Sequence, residues 1–73
     1  MQMIETPKSS SILAYGYDKM TQRLHIQYYN KEMYIYKSVP HKVIESLTKA
    51  DSMGKFINAH IKPNYHVEKV QND

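Results

Sequence analysis

From Arg23 to Tyr28 polar and apolar side chains alternate without a break, Arg23-Leu24-His25-Ile26-Gln27-Tyr28, whereas after Pro40 the apolar residues Val43, Ile44, Leu47 and Ala50 recur at helical spacing. A period of two belongs to a strand with one buried and one wet face, and a period near 3.6 to a helix with one apolar stripe. Neither element can bury its apolar side alone, so a chain carrying both lays the helix on the sheet. The expected fold class is therefore α+β. Seventy-three residues make one domain, and a domain this small removes only about 60% of its unfolded surface from water. Its core is thin, and self-association would deepen it.

The remaining elements follow from local signals. Ile12 to Tyr17 reads as a strand closed by a turn over Asp18 to Gln22, and Met33 to Lys37 as a third strand, which gives a three-stranded antiparallel meander. Pro40 suits the first position of a helix that runs to Ala50. Asp51-Ser52 breaks it and opens a second helix, Met53 to Ile61, which Pro63 and Asn64 stop. Tyr65 to Val70 forms a short C-terminal edge strand. The expectation is thus a meander, two short helices packed on one face of it, and that edge strand. Residues 1–9 read as a flexible N-terminal arm, 10–70 as a single domain and 71–73 as a tail.

The turn between the second and third strands decides which way two tyrosines point. If Asn30-Lys31 is a two-residue turn, Tyr34 and Tyr36 share the wet face with Arg23, His25 and Gln27 and make an aromatic platform. One extra residue, held as a bulge, turns both tyrosines toward Leu24, Ile26 and Tyr28. The opposite face then carries Arg23, His25, Gln27 and Tyr29 with Met33, Ile35 and Lys37, a mixture that suits contact with a second copy of the chain.

Composition narrows the chemistry. The chain has no cysteine, so it forms no disulfides and has no thiolate nucleophile. Its net charge is +3, and nine of its ten basic residues are lysines, which favours point-charge attraction to phosphate over bidentate base reading. No apolar run is long enough to span a membrane, and Met1 to Pro7 lacks the pattern of a signal peptide, so a cytoplasmic protein is expected. His25, His41 and His66 lie on separate elements without metal-ligand spacing. No paired carboxylates and no Ser/His/Asp spacing emerge. An enzyme is not expected, nor a cofactor or a metal.

The second helix carries the binding signal. Ser52 is its N-cap, Gly54 allows close approach to the backbone, and Lys55, Asn58 and Lys62 stand at spacings of three and four on its polar face. An anion at the first turn would meet backbone N–H groups, the positive end of the helix dipole and Lys55. The first glycine of a P-loop is missing, so ATP hydrolysis is not implied. His60 falls in the apolar arc with Met53, Phe56, Ile57 and Ile61, where it reads as a core residue satisfied internally or, alternatively, as a ligand contact.

From Ser10 to Tyr65 the chain resembles the KTSC domain, a short module found at the C-terminus of some lysyl-tRNA synthetases and as free-standing bacterial or phage proteins. The resemblance rests on Ser10, Ile12, Gly16-Tyr17-Asp18, Leu24, Tyr34, Tyr36, Val39-Pro40, Val43, Leu47 and Ala50, and then on Ser52, Gly54, Lys55, Asn58, His60, Ile61 and Tyr65. At the second hairpin the family usually has a glycine where this chain has Tyr29-Asn30-Lys31-Glu32, and at Phe56-Ile57 two aromatics are common. The resemblance implies the bulged hairpin, with Tyr34 and Tyr36 in the core. It implies no agreed activity. Tyr17 joins the expected ligand side with Ser52, Gly54, Lys55, Asn58, His60 and Lys62. The expected function is that of a non-catalytic homo-oligomer that sequesters a small nucleotide, for instance a signalling nucleotide in phage counter-defence. The alternatives are an RNA- or tRNA-binding accessory module and a protein-interaction adaptor.

Overall fold

The computed structural model describes residues 3–5 and 12–70. Its sheet has five antiparallel strands in sequence order, β1 (Ile4–Glu5), β2 (Ile12–Asp18), β3 (Arg23–Tyr28), β4 (Met33–Tyr36) and β5 (Val67–Val70). Two helices, α1 (His41–Lys49) and α2 (Met53–Phe56), lie between β4 and β5. The α+β class, the meander and the C-terminal edge strand are as expected. β1 is an addition, because Ile4 pairs with Tyr15 and Glu5 with Ala14 inside the segment read as an arm. Two residues are too few to show a period, yet the open edge of β2 offers them N–H and C=O partners. The rest of that arm, residues 1–2 and 6–9, and the tail, residues 71–73, lie outside the described residues.

The β3–β4 hairpin takes the bulged form. Lys31 N–H donates to the Tyr28 carbonyl and Tyr28 N–H to the Glu32 carbonyl, both at 2.9 Å, with Lys31 left-handed at φ 71°. That is a three-residue loop closed by a left-handed residue. Leu24 consequently opposes Tyr36, and Ile26 opposes Tyr34. Tyr36 is buried and Tyr34 half-buried against the core. Tyr29 sits in the loop itself, exposed, and not on the far sheet face as expected. That far face presents half-buried His25, Gln27, Met33 and Ile35.

The core joins Ile12, Leu24, Ile26 and Tyr36 of the sheet to Ile44 and Leu47 of α1 and to Ile57 and Ile61. Pro40 is the N-cap of α1, not its first helical residue, because its ψ of 151° is extended. Its carbonyl still accepts from Val43 N–H. Ala50 is extended as well, which stops α1 and lets Ser52 restart the chain as the cap of α2. α2 runs into a π-helical turn, Ile57–Ile61, in which Lys62 N–H reaches the Ile57 carbonyl at 2.8 Å. Pro63 can offer no N–H to continue the helix, and Asn64 Nδ2 caps the His60 carbonyl instead. No helix among the described residues is long and apolar enough to cross a membrane.

Candidate functional site

The π turn determines what the second helix presents. A turn closed from residue i to i+5 holds more residues than an α turn, so each advances by less than 100°. Ile57 and Ile61, four apart, therefore fall on the same buried line. His60 swings out of the arc where α spacing puts it. It is exposed, with its ring 4.9 Å from that of Phe56 and inclined at 47° to it. The expectation of a core histidine is thus corrected, and Phe56 itself is only half-buried.

Phe56 and His60 form a ridge shared by two neighbouring grooves. One, of about 410 Å³, runs along the helix past Ser52, Lys55 and Ala59, with Asp51 at its rim. The other, of about 310 Å³, opens toward α1 between Lys42, Ser46 and Tyr65. Ser52 Oγ accepts the Lys55 N–H at 3.3 Å and the Ser52 carbonyl accepts that of Phe56, so the cap already takes part of the donor capacity of the first turn. The N–H groups of Met53 and Gly54 precede any intrahelical acceptor. Ser46 Oγ donates back to the Lys42 carbonyl at 3.3 Å.

The positive charge of the helix layer is not neutralised. Among the described residues Lys37 pairs with Glu68 at 2.7 Å and Lys69 with Glu32 at 3.1 Å, both on the sheet, while Lys42, Lys55 and Lys62 form no ion pair. His41 lies 3.3 Å from Glu45. Asp51 is the carboxylate in the Lys55 groove, and none lines the Lys42 groove. Aromatic faces, two serine hydroxyls and two lysines thus line the grooves beside the ridge, a set able to stack a flat ring and hold an anion.

The other expected ligand residues lie apart from the ridge or reach it only partly. Asn58 is exposed on the helix, and Gly54 is half-buried with no positive φ. Lys62 lines a separate cavity of about 460 Å³ among tyrosines. Tyr17 is turned to structure: its hydroxyl donates to the Val39 carbonyl and its ring lies 6.1 Å from that of His41. Burial, and then the charge of Asp18, raise its pKa above the usual phenol value. Sequence reasoning missed Lys42, Ser46 and Tyr65. The first two stand on the exposed side of α1, but only tertiary contact could reveal that this side meets α2.

A model of the KTSC domain matches residues 8–65. The chain belongs to the KTSC domain family. A protein of Stutzerimonas stutzeri is 36% identical over 59 residues, 81% of this chain and 83% of that protein. The crystal structure of a KTSC domain protein from Yersinia pestis superposes with a TM-score of 0.89 at 31% identity, covering 96% of this chain and 97% of that one. A lysine–tRNA ligase of Nostoc punctiforme is 34% identical over 64 residues, which are 88% of this chain but 11% of the ligase. Of the positions that match the KTSC pattern, Leu24, Tyr36, Val39, Leu47 and Ile61 are core, whereas Ser52, Lys55 and His60 line the groove.

Proposed function

We propose that this KTSC domain captures a small phosphate-bearing molecule, a nucleotide by its chemistry, and holds it without altering it. The observation that carries the reading is the Phe56–His60 ridge, which gives one stacking surface to two grooves, each with an unpaired lysine and a serine. A base laid on the ridge leaves its phosphate within the Lys42 side, where no carboxylate opposes it. An exocyclic amine then faces Asp51. Cytoplasmic nucleotides are the natural source, and a phage protein withholding a signalling nucleotide is one setting for such capture. The half-buried Met33 and Ile35 on the open sheet face favour a homo-oligomer, in which several such sites would act together.

The second reading, an RNA- or tRNA-binding accessory module, is favoured by the likeness to a segment of the Nostoc lysine–tRNA ligase. Calorimetry with cyclic and ADP-ribose-type nucleotides beside short RNAs separates the two. Nucleotide binding that is lost in Lys42→Ala and Lys55→Ala, with unchanged thermal transitions, supports capture. RNA binding that weakens steeply with salt, without heat from any nucleotide, reverses the ranking.

A further inference from the structure

A second cavity, distinct from the ridge, opens between the β3–β4 hairpin and the end of the π turn, with a volume of about 460 Å³. Its walls are Tyr28, Tyr34 and Tyr36, with Val67 beside them. Tyr28 and Tyr34 meet edge to face, centroids 5.5 Å apart at 83°, so one ring of the pair keeps a face turned away from its neighbour. The volume lies within the range of pockets that enclose a small organic molecule.

The polar groups around it are mostly spent on one another. Glu32 accepts from the Tyr34 hydroxyl at 2.8 Å and from Lys69 at 3.1 Å, so the one carboxylate of the cavity is already neutralised. The Tyr36 hydroxyl donates to that of Tyr28. Asn30 Oδ1 accepts the Glu32 N–H at 3.0 Å, and its amide nitrogen donates to the Glu32 carboxylate. Lys62 is exposed and has no carboxylate partner among the described residues. What remains free is one cation and aromatic surface.

We propose that this cavity binds a planar aromatic anion, its ring against Tyr28 and Tyr34 and its charge on Lys62. A carboxylate and a phosphate satisfy that chemistry equally, so the source is either a free aromatic acid or a nucleoside monophosphate. The site does not depend on the Phe56–His60 ridge.

The test follows tyrosine ring resonances by NMR in protein labelled at tyrosine, titrated with anthranilate and with AMP, and with aniline and adenosine as neutral counterparts. The expected result is movement of the Tyr28 and Tyr34 signals with one or both anions. Affinity should fall about tenfold in Lys62→Ala, as for loss of a charged hydrogen bond, and persist in Lys62→Arg and in the remote Lys19→Ala. Response to anthranilate alone assigns a free aromatic acid, and response to AMP alone a nucleotide. Tyrosine signals unmoved by either anion, or moved equally by the neutral compounds, overturn the proposal. Shifts confined to Tyr65, which lines the groove beside the ridge, do so too, while leaving capture at the ridge standing.

Discussion

Removing the Tyr17 hydroxyl distinguishes a ligand residue from a structural one. Val39 is fully buried, and the connection between β4 and α1 is held there at two points: Val39 N–H donates to the Gln22 carbonyl at 2.9 Å and the Val39 carbonyl accepts the Tyr17 hydroxyl. One bond ties the crossover to the β2–β3 turn and the other to β2 itself. In Tyr17→Phe the shape persists and one hydrogen bond goes, a net loss of about 0.5–1.5 kcal/mol, rising toward about 3 if the carbonyl stays dry and unpaired. Tyr17 is half-buried, so water can reach the gap in part, and about 1–2 kcal/mol is expected. For a domain of this size that lowers Tm by roughly 4–16 °C. Urea unfolding followed by circular dichroism gives the free energy, and faster amide exchange at Val39 locates it. A variant as stable as the parent to within about 0.3 kcal/mol, yet deficient in nucleotide binding, would refute the structural role and return Tyr17 to the ligand side.

Two further outcomes concern the fold. Lys31 holds φ 71° where glycine carries no Cβ penalty, so Lys31→Gly should stabilise the domain by about 0.5–1 kcal/mol, the left-handed cost less the extra freedom of glycine in the unfolded chain; a loss of stability in urea would show that other Lys31 contacts matter more. Burial raises the phenols of Tyr36, most strongly, and of Tyr28 and Tyr17. A phenol whose pKa is raised by folding stabilises fully below the unfolded value of 10.0, and that contribution fades as pH climbs above it, because the unfolded chain then releases protons that the folded one keeps. The urea midpoint should therefore fall as pH rises above about 10, and less so in Tyr36→Phe; a flat profile contradicts the burial of these phenols.

Local periodicity exposed the elements whose signal is repeated. Arg23 to Tyr28 and Val43 to Leu47 each show enough turns of their pattern to fix type and buried face. β1 offers two residues and no period, so only its pairing with Tyr15 and Ala14 reveals it. Spacing left the hairpin bulge undecided, and the KTSC resemblance implied it, because a left-handed lysine carries no turn signature of its own. His60 failed for a different reason: a single π turn upsets the 100° rule at the position where the helix meets Pro63. The ridge was half legible. Ser52, Lys55 and His60 lie close in sequence, but Lys42, Ser46 and Tyr65 join them only through packing of α1 and the last loop against α2.

The distribution of ion pairs shows how a modest net charge of +3 would direct the ligand proposed above. Lys37–Glu68 and Lys69–Glu32 lie across the β4–β5 pair, so the sheet spends its lysines on its own edge strand. The carboxylates of Glu32 and Glu68 are held below their ordinary values, Glu32 first by the Tyr34 hydroxyl and Glu68 first by Lys37, so they remain ionised and keep those lysines neutralised at physiological pH. An approaching anion therefore meets a sheet edge that is locally balanced and a helix layer where Lys42, Lys55 and Lys62 are not. Attraction at a distance follows the unbalanced charges, so the anions proposed above would be drawn to the helix layer, with the ridge along it and the tyrosine cavity at its end, even though the chain as a whole is only weakly basic.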